Sequence, residues 1–201
     1  SVADLSEEQY QKLGFGWQRP LRKVEVACFL SHQKAWEEVL KRNQPCLILE
    51  DDAVLASNAK EILNEIEQQQ FPDVDLINLE VRSRKKIISR TPVCTLDHTQ
   101  VELYELYQDR TGAAGYILYP SGAQKLLNRL AKTAQAIADG FIFSAYELHC
   151  LQAEPAVIIQ EDQLGAYGLL QQGRFDSTIG RSEHFKPKFS SIKEKYTFKK
   201  R

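Results

Sequence analysis

Three carboxylates in a row, Glu50-Asp51-Asp52, follow directly on the apolar run Cys46-Leu47-Ile48-Leu49. Adjacent acids at the rim of a core repel one another and lose hydration. A bound divalent cation offsets both costs, and hard oxygen donors suit Mg²⁺ or Mn²⁺. A solvated acidic turn that merely ends a strand would use the same residues without chemistry. Pro45 before the run and the acids after it predict a short strand buried on both faces. Side chains alternate along a strand, so Glu50 and Asp52 are expected on one side and Asp51 on the other. In open α/β sheets ligands sit at such carboxyl ends of strands.

The elements around this stretch can be read from period and punctuation. Ser6 to Gln9 has the spacing of a capping box and opens a helix to about Leu13. Apolar residues at helical spacing predict a second helix from Val24 to Arg42, stopped by Asn43 and Pro45. His32 falls on one stripe of it with Cys28 and Trp36, the usual place of a hydrogen-bonded core histidine and also a place from which it can face a ligand. Ser57 and Asn58 open a helix to Gln69, and Val74 to Leu79 reads as a second buried strand. Arg82, Arg84, Lys85, Lys86 and Arg90 mark a basic loop or hairpin. Strands from Val101 to Tyr107 and from Tyr116 to Tyr119 flank Gly112-Ala113-Ala114-Gly115, small enough for close approach of backbone or ligand. Ser121 to Gln124 reads as another capping box, with a helix to Leu130. Asp139-Gly140 precedes a helix from Phe141 to Leu148, and a strand from Ala156 to Gln160 runs into Glu161-Asp162. Helices alternating with short buried strands predict an α/β fold with a mostly parallel central sheet flanked by helices, and some antiparallel pairing around Val101 to Tyr119. No GxxxxGK[ST], GxGxxG or GxSxG occurs, so a P-loop enzyme, an ordinary Rossmann dehydrogenase and an α/β-hydrolase are unsupported.

The 201 residues suit one large domain or a domain and a half, and 43% hydrophobic content sustains a core. A net charge of −1 gives no field that would draw nucleic acid. Charge is uneven, however: from His184 to Arg201 there are seven Lys or Arg against one Glu. That basic tail is either solvated or a contact for an anionic membrane. Cys28, Cys46, Cys94 and Cys150 show no CxxC or His-rich spacing, which favours buried thiols in a reducing compartment over disulfides or zinc. No run is long enough to span a bilayer and no signal peptide is visible. The chain has no methionine and starts at Ser1, as expected of a piece of a longer translated product.

Val26-Ala27-Cys28-Phe29-Leu30-Ser31-His32, then Trp36, then Leu47-Ile48-Leu49-Glu50-Asp51-Asp52, resembles glycosyltransferase family 25, the lipooligosaccharide galactosyltransferase family, also related to collagen galactosyltransferases. Further matches come in the family's order: Asp75-Leu76-Ile77-Asn78-Leu79, Gly112-Ala113-Ala114-Gly115-Tyr116-Ile117-Leu118, Gly122-Ala123-Gln124-Lys125-Leu126-Leu127, the lone acid Asp139, then Gln160 and Ser177-Thr178-Ile179. Val24 stands where the family usually has Gly, and Ala138 where Pro or Val is common. The resemblance implies a GT-A-like fold whose N-terminal strand and Arg-containing loop are missing from this chain. It implies a nucleotide-sugar half over about 1–110 and an acceptor half over about 111–183, with the tail at 184–201 beyond them.

The activity so implied is transfer of a hexose, typically galactose from UDP-galactose, to a lipooligosaccharide- or lipopolysaccharide-type acceptor, with inversion and with Mn²⁺ or Mg²⁺. The expected place is the cytoplasm, at the inner face of a bacterial inner membrane. On that reading Asp52 binds the metal directly, and Glu50 holds a metal water or a ribose hydroxyl. Ser31, His32, Asp51, Asn78, Gly112 and Gln160 belong to the substrate site. Inversion needs a base for the acceptor hydroxyl. Asp139 is the first candidate, although an Asp at a helix entrance also serves as a cap; Glu161, or Asp162 beside it, is the second. Arg22 and Lys23 either meet phosphate or stay solvated, and Trp17 and Tyr167 either stack on sugar or pack. The alternatives are a non-catalytic sugar- or ion-binding relative and a metal-dependent phosphoryl or nucleotidyl transferase.

Overall fold

In the computed structural model, which describes residues 4–82, 84–108 and 112–169, the first local signal forms as its spacing predicts. Ser6 Oγ accepts the Gln9 N–H at 3.1 Å, Gln9 accepts the Ser6 N–H at 3.0 Å, and α1 runs over Glu7–Leu13. α2 spans Lys23–Arg42 and stops at Asn43, whose φ of 50° lies in the left-handed region that Asn tolerates. Its buried stripe carries Phe29, His32, Trp36 and Val39. Then come β1 (Cys46–Leu49), β2 (Ala53–Leu55), α3 (Ala59–Gln68), β3 (Leu76–Asn78), β4 (Glu80–Val81), β5 (Ile87–Ile88), β6 (Cys94–Thr95), β7 (Glu102–Gln108) and β8 (Gly115–Leu118). α4 (Pro120–Leu130), α5 (Ala138–Phe143), β9 (Cys150–Glu154), β10 (Ile158–Gln160) and a 3-10 helix over Glu161–Tyr167 complete the described chain.

Among the described residues the main sheet has the order β1-β8-β3-β9-β7-β5, with β6 also on β7, and a smaller sheet has the order β2-β10-β4. The fold is therefore mixed α/β with helices against a many-stranded sheet, but the expected mostly parallel pairing is wrong. Within the main sheet only β3 and β9 pair in parallel; β1–β8, β8–β3, β9–β7, β7–β5 and β7–β6 are antiparallel. Alternation of helix and strand along a sequence does not say which strands become neighbours. Here β8 enters between β1 and β3 and runs against both, so β1, β3 and β9 still point the same way. The small sheet continues from their carboxyl ends.

The sheet separates two cores. Leu76, Tyr116 and Leu118 face Phe29, Trp36, Leu126 and Phe141 on one side, while Ile77 and Ile117 face Ile62, Ile66 and Leu103 on the other. β1 is not buried on both faces, as its apolar run suggested. It pairs with β8 at the edge of the sheet; Cys46 and Ile48 pack on the first core, whereas Leu47 and Leu49 are 36% and 42% exposed. The second capping box is also absent. Tyr119 is the N-cap of α4 without a side-chain bond, and Pro120, whose missing N–H costs nothing there, starts the helix. The helix expected over Phe141 to Leu148 is the shorter α5, which places Asp139 inside its first turn. The basic tail and Ser177-Thr178-Ile179 lie outside the described residues. No helix among the described residues is long and apolar enough to cross a membrane.

α4 approaches β3 so closely that a Cβ on Gly122 would fall 2.3 Å from the Asp75 carbonyl oxygen. Backbone cannot swing aside as a side-chain end can. Gly122→Ala is expected to cost about 1–3 kcal/mol, measured as a lower urea midpoint with unchanged slope; an unaltered midpoint would show that α4 is free to shift.

Candidate active site

Because β1 and β3 point the same way, the acids that follow them share one edge with the amino end of β8. The Glu50 N–H donates to the Ala114 carbonyl at 2.9 Å, and the Leu79 N–H donates to that of Gly115 at 3.2 Å. β10 adds a fourth contributor: its antiparallel pairing sets Gln160 opposite Ala53, next to Asp52. Glu50 and Asp52 do come together, but through the turn from Glu50 to Ala53 rather than by strand alternation, because β1 ends at Leu49. The amide nitrogen of Gln160 lies 3.2 Å from Glu50 Oε2 and 3.4 Å from Asp52 Oδ2, donating toward both carboxylates. The Arg82 guanidinium in turn donates to Gln160 Oε1 and lies 3.9 Å from Glu80 Oε1.

Glu50 is also fixed from α2. His32 Nε2 is 3.0 Å from Glu50 Oε1, and the Cys28 thiol points to the same oxygen at 3.6 Å. The other ring nitrogen of His32 lies 2.8 Å from the Tyr116 hydroxyl, which accepts the Trp36 indole N–H at 3.0 Å. With that lone pair used by Trp36, the Tyr116 hydroxyl donates to His32 Nδ1, which leaves the imidazole proton on Nε2 for Glu50. The core reading of His32 therefore holds, and through Nε2 the buried ring also reaches the acidic edge at Glu50.

The charges respond to this crowding. Burial is the largest single influence on Glu50 and works against its ionised form, but His32, the Cys28 thiol and Arg82 together outweigh it and hold the pKa below the ordinary value. Burial, helped by the charges of Glu50 and Asp51, pushes Asp52 up to about 6. Burial pushes Glu80 up to about 7 against the opposing pull of the Ala114 N–H and Arg82. Burial also raises Asp139, although the N–H groups of Gly140 and Gly112 pull the other way. The Cys28 thiol is pushed up to about 12 by burial and then by Glu50. Two buried oxygens, Asp52 Oδ1 and Glu80 Oε1, have no hydrogen-bond partner among the described residues. Orphaned carboxylate oxygens are costly and are the kind of donor a hard divalent ion takes, so the chemistry of Asp52 suits Mg²⁺ or Mn²⁺.

Of the residues singled out from sequence, His32, Glu50, Asp52, Gly112, Asp139 and Gln160 converge. Gly112, at φ +92°, passes over Glu80 so closely that a Cβ would fall 2.6 Å from its carboxylate oxygen. Asp139 takes the Gly140 N–H at 2.7 Å and feels both Arg82 and Glu50. Asp51 sits exposed in the turn, and Ser31 is exposed with its hydroxyl bonded back to the Ala27 carbonyl at 3.0 Å. Asn78 is fully buried and accepts the Glu80 N–H at 3.1 Å. Glu161 is buried, with its N–H on the Asp52 carbonyl at 3.0 Å, and Asp162 is exposed beside it. Arg22 pairs with Glu25 and Lys23 with Glu7. Trp17 packs against the first core, and Tyr167 is exposed. Cys28, Glu80, Arg82 and Tyr116 were missed as site residues. For Glu80 the signal existed: Leu79-Glu80 repeats the step from apolar strand to acid seen at Leu49-Glu50.

A family model described as Glycosyltransferase family 25 (LPS biosynthesis protein) matches residues 3–142. The chain belongs to glycosyltransferase family 25. Cys28, His32, Glu50, Asp52, Glu80, Arg82, Gly112 and Asp139 all fall within the matched stretch, and Gln160 lies beyond it. Lipooligosaccharide biosynthesis protein lic2B of Haemophilus influenzae is 24% identical over 185 residues, 89% of this chain and 67% of that protein. Procollagen galactosyltransferase 1 of Danio rerio is 30% identical over 151 residues, 72% of this chain and 24% of that protein. Lacto-N-neotetraose biosynthesis glycosyltransferase LgtE of Neisseria gonorrhoeae is 28% identical over 153 residues, 70% of this chain and 54% of that protein. The chain thus spans between about a quarter and two thirds of the length of these relatives.

Glu80 gives a pH signature. Its carboxyl keeps a proton up to about pH 7 when folded and up to about its ordinary 4.5 when unfolded. Between those values the folded state binds more protons, so stability falls as pH rises through the window, on the order of 3 kcal/mol in all. The penalty is absent below 4.5 and complete above 7. Glu80→Gln is expected to flatten melting temperature against pH across that window; an unchanged slope would remove Glu80 as its source.

Proposed function

We propose that this chain carries the donor-handling and catalytic residues of a metal-assisted, inverting hexosyltransferase that moves galactose from UDP-galactose to a lipooligosaccharide- or lipopolysaccharide-type glycan. The observation that carries the reading is the orphaned buried oxygen Asp52 Oδ1 on the family's acidic motif. The similarity to lic2B, a lipooligosaccharide biosynthesis protein, supports the acceptor class, that to the glycosyltransferase LgtE supports glycosyl transfer, and that to the procollagen galactosyltransferase supports galactose.

Asp52 and Glu50 would hold the ion, with Gln160 and His32 fixing the angle of Glu50. A divalent ion there supplies charge to the diphosphate leaving group, the main electrostatic demand of the transition state. Arg82, tied to Gln160 and close to Glu80, adds fixed positive charge at the same place. Gly112 lets the backbone before β8 lie flat over Glu80 and leaves room for the donor. Ser31 and Asp51, exposed beside the motif residues, are open to the approaching donor, whereas buried Asn78 acts only by holding the Glu80 backbone. Asp139 takes the proton of the attacking hydroxyl: two backbone N–H groups orient its carboxyl, and burial raises its basicity. Glu161, tied by its backbone to Asp52, is the second candidate for that role. The basic run over 184–201 fits an anionic lipid surface or an anionic glycolipid acceptor.

A panel of UDP-hexoses with Mn²⁺ or EDTA tests the whole reading. Turnover of UDP-galactose that needs the ion is expected, and metal-independent turnover or none would overturn it. Asp52→Asn keeps the shape of the side chain and is expected to lower turnover at least about 100-fold with an unchanged circular dichroism spectrum; wild-type activity would remove Asp52 from the ion. Asp139→Asn is expected to lower kcat about 10²–10⁴-fold and to abolish the acidic limb of the pH–rate profile. An unaltered profile would transfer the role of base to Glu161.

A further inference from the structure

We propose that Cys28, His32 and Glu50 form a binding site for Zn²⁺, or a borderline ion like it, distinct in chemistry from the oxygen corner at Asp52 and Glu80. One ligand atom from each of the three residues lies within 4.8 Å of the other two. A tetrahedral ion with Zn–S near 2.3 Å and Zn–N and Zn–O near 2.0 Å holds its ligand atoms roughly 3.3–3.6 Å apart. Cys28 Sγ stands 3.6 Å and His32 Nε2 3.0 Å from Glu50 Oε1, which brackets that spacing before any ion enters. Cys28 and His32 are one turn apart on α2, the arrangement by which a helix presents two ligands from one face. The Tyr116 hydroxyl, 2.8 Å from His32 Nδ1, is the kind of partner that fixes the ring of a metal-bound histidine. Thiolate, imidazole and carboxylate are the set Zn²⁺ accepts, while Mg²⁺ and Mn²⁺ prefer oxygen.

Binding involves no redox change. The Cys28 thiol proton passes to solvent as the sulfur–metal bond forms, and the single ring proton of neutral His32 moves from Nε2, which the ion takes, to Nδ1, so that the Tyr116 hydroxyl changes from donor to acceptor of that bond. Glu50 is common to both sites, so zinc and a hard ion at Asp52 compete for one carboxylate. Zinc is therefore expected to inhibit Mn²⁺-supported turnover, a consequence that rests on the proposed function; the binding itself does not.

Co²⁺, which replaces zinc and reports sulfur ligation by a near-ultraviolet charge-transfer band, tests the site in the full chain. Wild-type protein is expected to take up Co²⁺ with that band and to bind equimolar Zn²⁺ in competition with a chromophoric chelator. Cys28→Ser is expected to lose the band, and a variant with Cys46, Cys94 and Cys150 all changed to Ser to keep it. Tyr116→Phe, which leaves every ligand in place, is expected to weaken Zn²⁺ binding about 10–100-fold. No band in the wild type, or a band that survives Cys28→Ser, would overturn the proposal. The wild-type spectrum decides even if Cys28→Ser does not fold. Absence of Mn²⁺-dependent turnover beside an intact band would sink the transferase reading and leave this one standing.

Discussion

The constraint that organises this molecule is the gathering of like charge at one edge of the sheet. Glu50 and Asp52, Glu80 and Asp139 come from three separate segments, and Glu50 acts electrostatically on each of the other three acids. Unit charges about 4 Å apart near a protein surface interact by about 4 kcal/mol, a large fraction of a domain's whole stability. The fold manages this unevenly. Glu50 receives donors from His32, Cys28 and Gln160 and stays acidic. Asp52 and Glu80 receive too few, keep one oxygen each unpaired, and titrate near neutrality. A site left short of positive charge in this way is poised for a cation, because an ion removes a cost that the protein otherwise carries.

The topology follows from the need to bring those segments together. Had β8 lain outside the β1–β3 pair, its amino end would not meet both strand tips. Inserted between them and reversed, it delivers Gly112 and Ala114 where Glu50 and Glu80 end. Ala114 then binds both acids' neighbourhoods at once: its N–H donates to Glu80 Oε2 at 2.7 Å and its carbonyl accepts from the Glu50 N–H. The small sheet serves the same edge. β10 pairs with β2 on one side and β4 on the other, which ties Gln160 to the turn after β1 and to the residues after β3. An exposed loop would hold these groups less well, since regular elements position side chains more tightly.

Much of this was legible in the sequence, and what was not has physical reasons. Capping chemistry at Ser6, the stripe of α2 and the acid-tipped strand are local signals, set by residues within one or two turns of each other. Strand order and direction are not local, which is why the sheet as a whole was expected to be mostly parallel, although the antiparallel pairing expected around Val101 to Tyr119 does occur at β7 and β8. The burial of β1 was overstated because an apolar run does not tell an edge from a centre. β9 went unread because Gln152 interrupts its apolar run; that side chain is fully buried and accepts a hydrogen bond from Lys86 at 2.6 Å. The residues that the motifs named did converge in large part, whereas Glu80 and Arg82 join the site only through tertiary pairing. Ser31 and Asp51, adjacent to motif residues in sequence, point to solvent.

Tyr116 explains why the site and the core cannot be varied independently. Its ring belongs to the apolar cluster with Phe29, Trp36 and Phe141, and a hydroxyl buried there must find partners or cost stability. It finds them in Trp36 and His32, both on α2. The rotation of α2 about its axis is thereby set by directional bonds as well as by apolar burial. A turn of one residue along the helix would strand the hydroxyl and swing Cys28 and His32 away from Glu50. Apolar contacts alone tolerate small slips, because they are non-directional; the Trp36–Tyr116–His32–Glu50 chain does not. The angle of the carboxylate at the centre of the charged edge is therefore fixed from within the core.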